Sequence, residues 1–365
     1  MAPTEFKWAI LATGMISKSF VNDILIDPAT RDVHDIKHVV YAVASRSKDK
    51  AQEFINANVS SKQTLTPIAY GSYDEMFKDP QIDAVYIGTP HNLHYHNVYQ
   101  ALINNKHVLC EKPFTANSKQ AQILIDLARQ RHLFLMEAVW TRFQPFSDKL
   151  QQLIHDEKAI GTVKAATAEL ASDFDHVLGP YPWTLLVLAV LPRSKASNEP
   201  LSLPRITSTM TKTNSGVDAT TCAMIEFESV DHKSITTTMT ASQVYHSPSG
   251  SRILIVHGSK GYIEVTTPTY RPESVRLVAW ESEQAYNQFI KPKPIRDEIF
   301  NFTKRPGNIW GMAWEADQVA KCVMNGKLES DKMPLRDTIL MSQVFDVIRQ
   351  QGGLKYPDHI ESVEL

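Results

Sequence analysis

Short apolar runs that alternate with helix-like stretches constrain the first 145 residues of this chain more than any other feature. Residues 6–12 (FKWAILA) are apolar and end at Thr13-Gly14, and the helix-like MISKSFVNDIL follows. The pattern then recurs. HVVYAVAS (38–45) leads into Arg46-Ser47-Lys48-Asp49-Lys50 and AQEFI, and AVYIG (84–88) leads into Thr89-Pro90 and NVYQALINN. HVLC, ending at Cys110, precedes Glu111-Lys112-Pro113 and SKQAQILIDLARQR, and LFLMEA ends near Trp140. Apolar runs this short and unbroken suit strands covered on both faces, so the alternation predicts βαβ units in a doubly wound parallel sheet. Ligands of such sheets bind beyond the carboxyl ends of the strands. Ala12-Thr13-Gly14, Ser45-Arg46, Thr89-Pro90, Glu111-Lys112 and the 137–140 stretch all fall at those ends.

After about residue 145 the texture changes. TVKAATAEL, RITSTMTKT, TTCAMIEFE, SITTTMTAS, RILIVHGSKGYIEVTT and SVRLVAW alternate and are rich in Thr, Val and Ile. They predict an open, mostly antiparallel or mixed sheet, with a hairpin turn at 257–261. Helical patterns return at Trp310–Met324 and Leu335–Gln350. The length of 365 residues accommodates two domains. Their expected bounds are 1–145 and 146–365, an α/β unit and an α+β unit, with the last helices packing back on the first.

Composition excludes several classes. With 38 Lys+Arg against 40 Asp+Glu, the chain has no basic field for nucleic acid. Its longest apolar stretch, Leu185–Leu191, is far short of the roughly 20 residues that span a bilayer. Cys110, Cys222 and Cys322 are scattered, with neither zinc nor disulfide spacing. The expectation is a cytoplasmic protein without membrane or nucleic-acid partners.

Five motifs bear on the chemistry. Ala12-Thr13-Gly14-Met15-Ile16-Ser17 is a reduced form of the glycine fingerprint that brings pyrophosphate to a helix N-terminus. Ser45-Arg46-Ser47 ends the second strand with a guanidinium where NAD-specific folds place a carboxylate, which favours NADP over NAD. His91, His94 and His96 have no acidic partner nearby and read as cleft histidines, so no metal is expected. Glu111-Lys112-Pro113 puts an ammonium at a buried strand end, where its pKa is open to tuning. Leu178-Gly179-Pro180-Tyr181-Pro182-Trp183 sets a phenol on a constrained turn before an apolar helix. A nearby cation would fit that phenol for proton transfer.

Together these residues resemble the Gfo/Idh/MocA oxidoreductases. The first turn, TPHNLH, HVLCEKPF and HGSKGYIEV match that family's pattern. LFLMEAVWTRFQP, GMAWEADQVAKCVMNGKLES and IRQQGGLKYP are similar to its dimeric dihydrodiol dehydrogenase and fungal D-xylose 1-dehydrogenase branch. The resemblance implies an N-terminal Rossmann domain, a sheet domain that often dimerises, and a site in the cleft between them. It implies Lys112 and Tyr181 as catalytic residues, and Trp140, Arg142 and Phe143 on the substrate side. Gly14, Ile16, Arg46, Thr89, Pro90, His94 and Glu111 take cofactor-side positions. The implied reaction is NADP-dependent oxidation of an aldopyranose such as D-xylose to its lactone, by a homodimer of this chain, with a trans-dihydrodiol as the rival substrate.

One departure stands out. The family carries a Gly-rich segment that runs into an Asp four residues before the tyrosine. Here AELASDFD passes almost directly to HVLGPYPW, and Val177 stands in the Asp position. Asp173, Asp175 and His176 are the candidates to replace it. The departure also admits a non-catalytic protein that senses dinucleotide.

Overall fold

The computed structural model describes residues 2–172, 179–193, 199–228, 234–283 and 293–364. Among them, β1 (Thr4–Leu11), β2 (Ile36–Ala44), β3 (Ile68–Tyr70), β4 (Ala84–Ile87), β5 (His107–Glu111) and β6 (Leu135–Ala138) form one sheet. Its order is β3-β2-β1-β4-β5-β6, and every neighbouring pair is parallel. The order reverses between β1 and β4, which opens a crevice at their carboxyl ends. Five of these strands follow the apolar runs. The sixth, β3, was not expected: three residues are too few to show a period, and Ile68 is exposed at the sheet edge. Helices α1 (Met15–Ile24), α2 (Lys48–Asn58), α3 (Tyr73–Phe77), α4 (His94–Ile103) and α5 (Ser118–Gln130) connect the strands.

After α6 (Pro145–Gln151), a second sheet is built from β7 (Val163–Ala171), β8 (Arg205–Lys212), β9 (Asp218–Glu228), β10 (Ser234–Ser242), β11 (Arg252–Gly258), β12 (Gly261–Thr266), β13 (Ser274–Ala279) and β14 (Arg296–Asn301). Its order is β14-β13-β12-β11-β7-β10-β9-β8. Only β7 and β10 run parallel; the other neighbours are antiparallel. Helix α7 (Pro180–Val190) covers one face and is buried on all sides. Its apolar run is therefore a core helix, and Trp183 stacks on Phe227 of β9 at 5.8 Å. Among the described residues no helix is long and apolar enough to cross a membrane.

Helices α8 (Ala313–Met324) and α9 (Leu335–Gln351) return to the first sheet. Asp23 of α1 accepts the backbone N–H groups of Trp310, Gly311 and Met312 at 2.6–2.7 Å, which anchors the start of α8. Asp317 of α8 accepts from Arg31 Nε at 2.6 Å and meets His38 Nε2 at 2.8 Å. Trp8 Nε1 donates to His38 Nδ1 at 3.0 Å, so the His38 proton sits on Nε2 and points at Asp317. Burial lowers the His38 pKa and keeps the ring neutral. Removing one member of a buried cluster like this typically costs about 3–5 kcal/mol, so α8 is fastened to the first sheet.

Candidate active site

The cofactor side begins at the β1–α1 turn. Ala12 adopts φ +77°, the left-handed conformation that favours glycine, and it stands where the fingerprint has its first glycine. Gly14 caps α1 with ordinary extended backbone (φ −78°, ψ −179°) and no side-chain cap. A Cβ there would meet nothing within 4 Å. The first amides of α1 are thus open to an anion. The third glycine position holds Ser17, which is buried. A Cβ on Gly88, just beyond β4, would collide with Ser17 Oγ. The close approach of helix and strand is therefore provided by a glycine on the strand instead of the helix.

Around this turn, Thr13 Oγ1 and Ser45 Oγ lie 3.4 Å apart. Met15 is 72% exposed at the helix tip, and Ile16 is half-buried. Arg46 is exposed at the end of β2, while Ser47 caps α2 by accepting from the Lys50 N–H. Thr89 is buried and accepts from Asn97 Nδ2 at 3.0 Å, and Pro90 is exposed. His94 lies behind the crevice, its Nδ1 and Nε2 each 2.9 Å from the carbonyl oxygens of Pro113 and Thr89. Burial brings its pKa down to about 4, so a neutral ring ties the β4 and β5 loops together. His91 instead faces Tyr356, and His96 is exposed. Among the described residues no group of three or more His, Cys, Asp or Glu is placed to hold a metal.

At the end of β5, Glu111 Oε1 accepts from the Tyr86 hydroxyl at 2.7 Å and Oε2 from the Lys112 N–H at 3.3 Å. Burial raises the pKa of Glu111 and lowers that of Lys112, against the attraction between them. Lys112 Nζ sits 4.7 Å from the centre of the Tyr181 ring. Tyr181 lies in the first turn of α7, and its Oη accepts from Trp140 Nε1 at 3.0 Å. Tyr270 packs against Trp140 and Tyr181 with ring centres 6.0 and 5.8 Å away. Burial pushes the Tyr181 pKa well up, Glu111 adds to this, and the Trp140 hydrogen bond opposes it. Tyr181 is accordingly a neutral phenol in this state. The group touching its oxygen is the indole N–H, with the ammonium over the ring face.

Arg142 and Phe143 do not join this cluster. Arg142 Nη2 donates to Asp337 of α9 at 2.6 Å, and Phe143 is buried in the core. Asp173, Asp175, His176 and Val177 lie outside the described residues. Sequence reasoning missed Tyr86 and Tyr270, and it placed Glu137 at a strand end without giving it a role. Glu137 carried a signal, a carboxyl at the end of a buried strand. Tyr270 carried none, being 130 residues from Trp140 in an irregular connection.

With this geometry in place, the comparisons are direct. The oxidoreductase family with an NAD-binding Rossmann fold, Gfo/Idh/MocA, matches residues 6–139. The chain belongs to that family. It is 35% identical to the NADP(+)-dependent D-xylose 1-dehydrogenase of Hypocrea jecorina, across 98% of this chain and 95% of that one. It is 30% identical to trans-1,2-dihydrobenzene-1,2-diol dehydrogenase of Bos taurus, across 96% and 98%. Among solved structures, a 3-ketoreductase from Actinomadura kijaniata in complex with TDP-benzene and NADP shares the fold. Its TM-score is 0.70 at 20% identity, covering 96% of this chain and 98% of that one. A levoglucosan dehydrogenase in complex with NADH and levoglucosan gives 0.75 at 14% identity over the same shares.

Proposed function

We propose that this chain is an NADP-dependent dehydrogenase that oxidises an aldopyranose such as D-xylose at C1 to the lactone. The observation that carries this reading is the meeting of Lys112, Trp140 and Tyr181 at the strand ends. The name of the Hypocrea jecorina relative supports both cofactor and substrate. The open amides after Gly14 fit a pyrophosphate, and Met15 and Ile16 carry them. Arg46 would take the 2′-phosphate, with Thr13, Ser45 and Ser47 beside the ribose, and Ala12, Thr89, Pro90, Glu111 and His94 shaping the floor.

The bound cofactor supplies the hydride acceptor. Tyr181 Oη, as phenolate, takes the proton of the C1 hydroxyl as the C1–H bond breaks and its hydrogen departs as hydride, so that carbon ends doubly bonded to oxygen. Trp140 holds the phenolate oxygen, and Lys112 offsets its charge and orients the sugar. Burial favours the phenol, so the base form grows as pH rises. Oxidation should therefore speed up toward alkaline pH, while reduction of the lactone slows. A pH profile of initial rates in both directions checks this.

The diol dehydrogenases, 29–32% identical, favour a trans-dihydrodiol as the second reading. We further propose a cytoplasmic homodimer. The exposed face of the second sheet, where Cys222 and Met224 emerge, supports pairing between two copies. The deciding experiment is purified protein with D-xylose, comparing NADP with NAD by formation of reduced nicotinamide. Turnover with NADP supports the proposal. Its absence with both cofactors, while NADP still binds, moves the reading to a dinucleotide-sensing protein.

A further inference from the structure

The aldopyranose and the trans-dihydrodiol of the two readings above share one chemical feature. Each is a six-membered ring with a second hydroxyl on the carbon next to the one that is oxidised. Vicinal oxygens are near neighbours, so a group that binds the second hydroxyl must stand beside Tyr181 Oη.

Tyr270 stands there. Its ring centre is 5.8 Å from that of Tyr181 and 6.0 Å from that of Trp140. Its hydroxyl makes no hydrogen bond to a described residue and is open to solvent. The other polar groups of the cluster are engaged. Trp140 Nε1 donates to Tyr181 Oη, and Lys112 Nζ lies over the Tyr181 ring. Arg142 is held by Asp337, and Arg271 lies over the Trp310 ring at 3.8 Å.

The backbone fixes where this phenol points from. In the connection between β12 and β13, Thr269 Oγ1 donates to the Glu169 carbonyl at 2.7 Å. The Tyr270 carbonyl accepts from Thr141 Oγ1 at 2.8 Å and from Gln144 Nε2 at 3.1 Å. Both donors lie in the short segment that carries Trp140, so one anchor sets both rings. A phenol hydroxyl donates and accepts, as a substrate hydroxyl does, and at neutral pH it brings no charge.

We propose that Tyr270 reads the second hydroxyl of the substrate, its Oη hydrogen-bonding the oxygen on the carbon next to the reacting one, C2 of an aldopyranose. The proposal rests on the dehydrogenase reading above and deepens it, because the recognised unit becomes a vicinal diol in a six-membered ring. Tyr270 sets specificity, and the proton still goes to Tyr181.

The test is a cycle of two proteins and two substrates, which separates one contact from general effects on packing. Initial rates with NADP are measured for D-xylose and 2-deoxy-D-xylose, in the wild-type protein and in Tyr270→Phe. The deleted oxygen has no partner among the described residues, so the variant keeps its packing. Tyr270→Phe should lower kcat/KM for D-xylose about three- to tenfold, mainly through KM, the range of one neutral hydrogen bond. For 2-deoxy-D-xylose the change should stay within about twofold. The pair trans-cyclohexane-1,2-diol and cyclohexanol repeats the cycle on a carbocycle, and the same difference is expected. Equal loss on both members of a pair would make Tyr270 a packing residue. No loss on the diol member would leave its hydroxyl clear of the substrate. Either result overturns the proposal while the dehydrogenase reading stands. A wild-type protein inactive on all four compounds overturns that reading, and this proposal with it.

Discussion

The two sides of the cleft are made from different materials. The proposed cofactor side is mostly backbone: the turn at 12–14, the open amides of α1, and the loops after β2 and β4. The proposed substrate side is mostly side chain, with Lys112, Trp140, Tyr181 and Tyr270 arriving from four separate parts of the chain. A surface built from backbone tolerates substitution as long as the path of the chain survives. Ala12 replaces one glycine of the fingerprint by accepting a left-handed φ, and Gly88 takes over the clearance that Ser17 denies to the helix. A surface built from converging side chains has less freedom, because each side chain supplies a particular atom.

The largest test of this contrast is Tyr181→Phe. Loss of the proton-transferring oxygen should lower turnover by about 10²–10⁴-fold, while NADP affinity, measured by fluorescence titration, stays within about twofold. Equal loss of both would mean that Tyr181 belongs to the cofactor side as well. Arg46 is the exception on that side, a specific side chain on an otherwise backbone surface. Arg46→Ala should weaken NADP about ten- to a hundredfold, the range of a lost charge-assisted contact of roughly 1.5–3 kcal/mol. NAD binding should hardly move. A parallel loss of NAD would place the guanidinium elsewhere on the nucleotide.

The same difference in material explains how much could be read from the chain itself. The strands of the first sheet are continuous apolar runs, so β1, β2, β4, β5 and β6 follow from local pattern, as does the placing of the candidate site residues at their ends. Lys112 was legible because it directly follows a buried strand. The short edge strand β3 and the charged edge strand β14 lack any apolar period and were missed. Trp140 and Arg142 look equivalent in WTRF, yet only Trp140 reaches Tyr181, because Arg142 is drawn away by Asp337. That choice is settled by α9, almost 200 residues downstream, and no local pattern records it.

The smallest effects separate the two roles that glycine plays in one turn. Gly14 has an ordinary φ and open space around its Cβ position, so the fold alone does not require it. Gly14→Ala should leave stability within about 0.5 kcal/mol, since lower unfolded-state entropy and a poorer cap offset each other. NADP affinity should nonetheless fall about tenfold, because a methyl would stand where pyrophosphate comes closest to the backbone. Ala12→Gly should do the reverse. A left-handed φ costs a non-glycine residue roughly 1–2 kcal/mol, of which glycine returns about 0.4–1 kcal/mol through the flexibility it adds to the unfolded chain. The net expectation is a stabilisation of up to about 1.6 kcal/mol, read from the denaturant midpoint, with NADP affinity unchanged. If Ala12→Gly instead tightened NADP while leaving the midpoint alone, the first position of the turn would be shaped by the cofactor and not by the path of the chain.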